Sequence, residues 1–272
     1  MSALRTSVLS AAALFSLSPL ASAQTYGTQD RRPEESRQDF ALELRFGSFT
    51  ENIDNQVGMA ANGPFRQIFC STRDATAAST ATVGCPARFR FGAEFDWQIL
   101  RLGPVGSFGV GLVASFGSAV ADAPALSGMS STDATQWRRS AQQTTLNVVQ
   151  GAALAVLRID GLARRVRWLP VVPFAKAGLA LAPWWVTSGE ANARDTSGND
   201  AVGLSQGFYF AGGLAVMLDT FEPHVARQWD QQSGVNHSYV FFELNYQYLG
   251  GITRRTLDVG GLAWTAGVNV EF

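Results

Sequence analysis

The feature that most constrains the fold is an unbroken two-residue alternation over residues 88–99, in a strand expected at about 88–100. Successive side chains of a β-strand point to opposite faces of the sheet, so this period predicts a strand with one apolar face and one polar, charged face. The two faces are Phe89, Phe91, Ala93, Phe95, Trp97 and Ile99 against Arg88, Arg90, Gly92, Glu94, Asp96 and Gln98.

The same alternation recurs along the chain and predicts eight strands. Each has roughly 10 to 16 residues, enough to cross a bilayer as a tilted strand. A mean hydropathy of +0.04 suits a barrel whose lipid-facing and lumen-facing residues alternate. The predicted fold is all-β, an eight-stranded antiparallel up-and-down transmembrane β-barrel over residues 39–272. Its strands are expected at about 39–49, 88–100, 105–117, 144–158, 171–184, 207–218, 238–248 and 256–272.

The last predicted strand carries its apolar face to Phe272. This ending resembles that of small outer-membrane β-barrels of Gram-negative bacteria. The resemblance implies a place in the outer membrane, contact with its lipid, and recognition by the barrel-assembly machinery through the C-terminal strand. The residues that would form this signal are Trp264, Val268, Val270 and Phe272.

A second resemblance covers residues 212–251. A strand, a helical connection, a G-x-N-H motif and an aromatic strand bearing an acid follow one another there, as in a group of myxobacterial and related deltaproteobacterial barrels. The motif residues are Gly234, Asn236, His237 and Glu243. This resemblance implies a location and a fold and no reaction.

The first 23 residues have the pattern of a secretory signal peptide. Arg5 precedes an apolar stretch over residues 8–20, and Ala21-Ser22-Ala23 forms an A-x-A cleavage site. Residues 24–38 are polar and predict a flexible periplasmic leader. Localisation to the cell outer membrane follows as the expectation.

The connections between the predicted strands differ by side. Those expected outside are mostly long and polar, and Trp137-Arg138-Arg139 in the second of them is a candidate contact for an extracellular ligand. In the last inner connection, apolar residues four apart at Phe221, Val225 and Trp229 predict a short amphipathic periplasmic helix. The outer connections are 50–87, 118–143, 185–206 and 249–255; the inner ones are 101–104, 159–170 and 219–237.

Charged residues recur on the face predicted to line the lumen. Buried charges require partners, because an isolated ion in a low-dielectric interior is very costly. The near balance of acids and bases fits an ionic plug, and a narrow pore with charged walls is the alternative. The predicted lumen charges are Glu43, Arg45, Arg88, Arg90, Glu94, Asp96, Lys176 and Glu243, with Glu271 on the same face of the last strand.

The two cysteines, Cys70 and Cys85, are expected to form one disulfide in the first outer loop of an exported chain. The bridge would close a loop of about 15 residues and contribute on the order of 3 kcal/mol in the chain-entropy treatment.

Composition argues against several classes of function. Lys plus Arg number 21 and Asp plus Glu 22, so no electrostatic preference for nucleic acid follows. Only His224 and His237 are present, both in one inner connection, so we expect no catalytic site, no metal and no cofactor.

The expected function is therefore structural, or a surface interaction through the outer loops. One alternative is a porin-like pore or small-molecule transport barrel, in which small residues of the fifth strand allow lateral passage. Another is a soluble periplasmic β-barrel or sandwich that binds a ligand and shields the aromatic face of residues 89–97 with protein. The small residues are Ala175, Ala177, Gly178 and Ala180.

Overall fold

The computed structural model describes residues 39–49, 51–56, 58, 64–70, 88–103, 105–126, 137–161, 163, 169–194 and 197–272. The predicted signal peptide and leader lie outside these ranges, as does Cys85.

The described chain is built almost entirely of antiparallel strands. The strands are β1 (Phe40–Ser48), β2 (Phe89–Arg101), β3 (Ser107–Leu126), β4 (Trp137–Arg158), β5 (Val171–Ser188), β6 (Ala191–Asn192), β7 (Val202–Met217), β8 (His237–Tyr248) and β9 (Gly261–Glu271). Three α-helices are described: α1 (Ile53–Gln56), α2 (Pro64–Phe69) and α3 (Pro223–Ser233), the last preceded by a 3-10 turn over Leu218–Thr220.

Eight of the strands form a closed barrel. Each pairs with the next along the chain, β5 pairs directly with β7, and β1 pairs with β9 to complete the ring. The two-residue β6 only extends the end of β5. The predicted eight-stranded antiparallel up-and-down barrel is confirmed.

Phe272 closes this ring. Its backbone N–H donates to the carbonyl of Phe40 at 3.0 Å, and its carbonyl accepts from the N–H of Phe40 at 3.0 Å and of Asp39 at 3.2 Å. The ring of Phe272 lies 6.1 Å from that of Phe40 on the outer surface. The final residue is thus bonded into the β1–β9 seam.

The outer surface of the barrel is apolar. Phe91 is 65% exposed and Leu112 is 66% exposed, although both lie within long strands. Their neighbours in the chain point inward. The alternation in the sequence therefore corresponds to an apolar exterior and a largely polar interior.

We name the two ends of the barrel by what they carry. The termini end holds Phe40, Phe272, the β2–β3 and β4–β5 connections, and α3. The loop end holds the β1–β2, β3–β4, β5–β7 and β8–β9 connections. α3 lies where the sequence predicts an amphipathic helix.

Several predicted strand boundaries are wrong, including the start of β7, which lies at Val202 and not near 207. Residues 118–126 and 137–143, expected as loop, continue the β3–β4 ladder, in which Leu126 pairs with Trp137. A two-stranded extension beyond the barrel needs no alternation of apolar and polar residues, so the period does not reveal it. Conversely, β9 begins at Gly261 and not near 256, because Asp258 accepts hydrogen bonds from the N–H groups of Leu249 at 3.0 Å and Gly260 at 3.1 Å and holds the preceding residues in a turn.

Candidate functional site: the charged lumen and the loop end

A buried ionic network fills the middle of the lumen. Arg45 donates to Glu94 and Glu243, and the Tyr209 hydroxyl donates to the same Glu243 at 2.7 Å. Lys176 donates to Glu94, and to Glu43 at 2.8 Å. These charged groups stand on strands from all around the barrel, so the network ties opposite walls together.

Arg158 organises a second part of the network nearer the termini end. Its guanidinium donates to Asp96 at 2.7 Å, to Glu271 at 2.8 Å and to Glu43 at 3.0 Å. Tyr239 also donates to Glu271, at 3.0 Å. Because Glu43 binds both Arg158 and Lys176, the two parts form one continuous system.

Arg90 lies nearer the loop end and has neutral partners. It donates to the side-chain oxygens of Gln150 at 2.6 Å, of Asn245, and of Thr265 at 3.3 Å. These hydrogen bonds to neutral acceptors stabilise the buried guanidinium of Arg90 in place of a bond to a carboxylate.

The charges nearly cancel, and little space remains among them. Among the described residues of the lumen, four cations, Arg45, Arg90, Arg158 and Lys176, face five carboxylates, Glu43, Glu94, Asp96, Glu243 and Glu271, which leaves one formal negative charge. Two cavities of the lumen measure about 20 Å³ and 10 Å³. The larger holds about one water molecule, so little free space remains among these side chains.

Three of the carboxylates lie close enough together to resemble a metal site. Oxygen atoms of Glu43, Glu94 and Asp96 are all within 4.8 Å of one another. Lys176 and Arg158 already bond to this group. These cations supply the positive charge that a metal ion would bring.

The structure brings seven of the eight predicted lumen charges into this network and places Arg88 elsewhere. Arg88 donates to the carbonyl of Phe69 at 2.7 Å, and its guanidinium lies over the rings of Phe65 and Phe69. It precedes the first residue of β2, so its side chain reaches the α1–α2 segment beyond the lumen.

Sequence reasoning missed Arg158, which bonds three acids. β4 turns a mostly apolar face inward, with Leu146, Val148 and Leu154 buried on the same face as the polar Gln150. Arg158 lies an even number of residues from these side chains in the same strand, so it also points inward. This even spacing was the feature of the sequence that could have identified it.

A cap of apolar side chains lies at the loop end, above the ionic network. We define it by Phe49, Ile53, Phe65 and Phe69, which pack with buried residues of the strands and of the β8–β9 connection. Asp54 holds the start of α2 by accepting from the N–H groups of Phe65 at 2.8 Å and Arg66 at 2.9 Å. Cys70 is buried beside the cap. Its pairing with Cys85 stays a prediction.

Glu51 stands at the edge of this cap. One of its carboxylate oxygens, Oε1, is buried and has no hydrogen-bond partner among the residues that the structure describes. Burial raises the pKa of Glu51 to about 8, and the nearby Arg88 only partly opposes this. The folded cap thus favours the neutral form of this side chain.

A cleft of about 420 Å³ lies beside the cap, between α1 and the β8–β9 connection. Its volume is within the range of small-molecule sites. Side chains on its walls include Asn55, Gln56, Tyr248, Arg254, Arg255 and Asp258.

The histidines do not form a catalytic arrangement within the described residues. His237 Nδ1 lies 2.6 Å from Asp219 Oδ2, while the Ser238 hydroxyl donates to Asp219 Oδ1 at 2.9 Å. Burial alone would raise the pKa of Asp219, but the hydrogen bonds from His237 and Ser238 lower it below its usual value. The group ties the 3-10 turn to β8. The side chain of His224 lies outside the described residues.

Other predicted residues fall on the outer surface. Val268 and Phe272 are exposed on the outer face, and Trp264 and Val270 are partly exposed there. Ala175 and Ala177 also face outward on β5, while Ala180 faces inward. The side chains of Trp137, Arg138 and Arg139 lie outside the described set.

Among the helices described here, none has the length and apolarity to cross a bilayer.

The chain matches no protein-family model, and no curated protein is similar to it. The myxobacterial resemblance therefore has no support from these comparisons. Several solved outer-membrane barrels are similar in structure. OprG from Pseudomonas aeruginosa has 10% identity and a TM-score of 0.45, covering 86% of this chain and 96% of its own.

Two further solved barrels give similar figures. Ail from Yersinia pestis, solved in complex with the heparin analogue sucrose octasulfate, has 9% identity and a TM-score of 0.39, covering 86% of this chain and 97% of its own. Neisserial surface protein A has 12% identity and a TM-score of 0.38, covering 86% and 97%. At this level of identity, no residue role passes from these proteins to this chain.

Proposed function

We propose that this chain is an integral outer-membrane barrel with a closed lumen that acts through its loop end. The observation that carries the proposal is the combination of an apolar exterior with a lumen filled by paired charges. The exterior suits lipid, and the filled lumen leaves the loop end as the place where a ligand or partner can be met. The function is then structural or a surface interaction.

The exposed outer face supports membrane insertion over a soluble fold. A soluble barrel or sandwich would shield residues such as Phe91, Phe95 and Trp97, yet these are 65%, 43% and 51% exposed. Aromatic rings also gather at both rims, as in membrane barrels. Phe40 stacks with Phe95 and Trp97 near the termini end, and Phe116 lies 6.5 Å from Trp185 near the loop end.

The unequal connections support an orientation with the termini end in the periplasm. Membrane barrels have short periplasmic turns and longer outer loops. The β2–β3 turn is short, whereas the β3–β4 hairpin extends well past its neighbours at the loop end. We assign to the C-terminal strand the role of the assembly signal, because its outward apolar side chains end at the β1–β9 seam.

A first experiment tests insertion. Leu112→Arg places a charge in the middle of the exposed face, and we expect it to impair insertion by about 2 to 4 kcal/mol if this face meets lipid. Gln231→Arg, on the exposed surface of α3, is the matched control and should insert normally. Heat-dependent gel mobility and fractionation with outer membranes are the measurements. Equal behaviour of the two variants, or recovery of the wild type as soluble periplasmic protein, would contradict the proposal.

A second experiment separates the closed barrel from the pore. Purified protein in planar bilayers should give no ion conductance near neutral pH, because cavities of 20 Å³ and 10 Å³ do not form a path for hydrated ions. A known open porin, reconstituted at the same protein-to-lipid ratio, is the positive control. Reproducible unitary conductance from the wild-type chain would favour the pore.

A further inference from the structure

The cleft between α1 and the β8–β9 connection has walls that are held at a fixed spacing. Asn52 donates to the Asp258 carboxylate at 2.9 Å, and Gln56 Oε1 accepts from the Asp258 N–H at 2.9 Å. Arg255 donates to the Gln56 carbonyl at 2.6 Å, and Gln56 Nε2 donates to the Thr256 carbonyl. These bonds join segments about 200 residues apart in the chain, so the cleft exists before any ligand arrives.

One wall is a tight turn that presents Arg254. Gly251 has φ of +99°, and a Cβ at this position would lie 1.8 Å from the carbonyl oxygen of Arg254. Only glycine fits such a turn. The turn brings Arg254 and Arg255 to the cleft side by side.

The charge of the cleft is positive. The carboxylate that lines it, Asp258, is 2% exposed, and its oxygens already accept from Asn52 and from two backbone N–H groups. In the part of the chain that the structure describes, neither Arg254 nor Arg255 has a carboxylate partner, and Arg255 donates to the Gln56 carbonyl.

The remaining side chains suit a ligand rich in hydroxyl groups. Asn55 offers an amide on the exposed wall, and Tyr248 is 40% exposed at the point where the apolar outer face meets the cleft. Aromatic rings pack against the apolar faces of sugars, amides bond to hydroxyl groups, and arginine forms strong paired bonds to phosphate, sulfate or carboxylate.

We infer that this cleft binds a sugar bearing an anionic group, with the charge on Arg254 and Arg255 and the ring against Tyr248. The inference rests on the proposed function, since it requires the loop end to face the outside. The same chemistry occurs in a soluble acidic polysaccharide and in the headgroup of a phosphorylated glycolipid of the surrounding leaflet.

The test uses the folded full barrel in zwitterionic detergent micelles and titration calorimetry with dextran sulfate oligosaccharides. Neutral dextran of the same length is the control ligand. We expect the wild-type protein to bind dextran sulfate and not neutral dextran. The affinity for dextran sulfate should fall by about tenfold in Arg254→Gln and further in the double variant with Arg255→Gln. Arg194→Gln, which removes one exposed loop-end charge outside the cleft, should leave affinity within about twofold.

A second arm identifies the source of the ligand. Mixed micelles that contain diphosphorylated lipid A are compared with micelles that contain phosphatidylethanolamine. Binding of dextran sulfate indicates a soluble polysaccharide, and binding of lipid A indicates a leaflet glycolipid; either one, lost in Arg254→Gln, supports the inference. Equal losses in Arg254→Gln and Arg194→Gln, equal binding of charged and neutral dextran, or no binding of any probe would overturn it.

Failure of this inference is distinguishable from failure of the proposed function. If the protein shows normal heat-dependent gel mobility and membrane fractionation but binds no probe, only the inference of a ligand site is refuted. If the protein fails those two measurements, the proposal of a membrane barrel is refuted, whatever the protein binds.

Discussion

The ionic lumen and the apolar cap fill the same barrel by different means. In the lumen, strands held by the hydrogen-bonded ladder place Arg45, Lys176 and Arg158 against acids on other walls. In the cap, helices outside the ladder bury Phe49 and Phe69 against the loop end. Buried ions depend on every partner being present, whereas apolar packing depends on area and fit.

This difference has a consequence for cooperativity. The lumen charges bridge strands on opposite sides of the barrel, so loss of one cation affects the whole ring. The cap rests on α1, α2 and the β8–β9 connection, which lie outside the strand ladder. We therefore expect global effects from lumen substitutions and more local ones from cap substitutions.

The largest expected effect comes from Arg158→Met. It removes the donor to Asp96, Glu271 and Glu43 and leaves three buried carboxylates without this partner. Loss of one member of a buried ion group costs about 3 to 5 kcal/mol. The free energy of unfolding, measured in urea with the barrel in detergent, should fall by this amount. Arg194→Met, in an exposed pair whose Arg194 side chain is 70% exposed, is the control and should cost less than about 1 kcal/mol. Similar losses in both variants would refute the distinction between lumen and surface charges.

The next effect is expected from Phe49→Ala in the cap. Phe49 is 3% exposed, and its ring lies so close to Gly117 that a Cβ there would be 2.8 Å from the ring. Removing a buried phenyl ring costs about 3 kcal/mol or somewhat more. Amide hydrogen exchange should increase in α1, α2 and residues 249–260 first. An increase spread evenly over all eight strands would show that the cap and the ladder unfold together.

Period-two alternation predicted the outer surface well because the outward positions of the strands carry few polar residues. The same parity predicted the lumen charges on β1, β2, β5 and β8. Arg88, which the same parity also assigned to the lumen, precedes the ladder and packs on Phe65 and Phe69. The alternation did not identify Arg158, because most inward side chains of β4 are apolar and pack with the cap. From the sequence alone, the inward face of β4 therefore could not be distinguished from an apolar outer face.

The cleft could not be predicted for a different reason. Its walls, near Asn52 and Asp258, are joined by a hydrogen bond of 2.9 Å between segments 206 residues apart. No local pattern encodes such a pairing, because it depends on where two irregular connections meet after the barrel closes. Loops that carry binding sites are the part of a barrel that strand periodicity does not describe.

The smallest expected effect separates the cap from the lumen by pH. Burial raises the pKa of Glu51 from 4.5 to about 8, so the folded cap favours its protonated form. The protonated Glu51 side chain contributes its full stabilisation to the folded cap below pH 4.5. This contribution declines as the pH rises from 4.5 to about 8 and does not change further above that. Glu51→Gln should therefore protect α1 and α2 from hydrogen exchange better than wild type at pH 8, and equally at pH 4.5. The difference should be about 1 kcal/mol, since the side chain is partly exposed and solvent screens its charge. Glu190→Gln, at an exposed turn of the loop end, is the matched control. A Glu51→Gln difference that is the same at both pH values would mean that the lost carboxylate acts through packing and not through its charge.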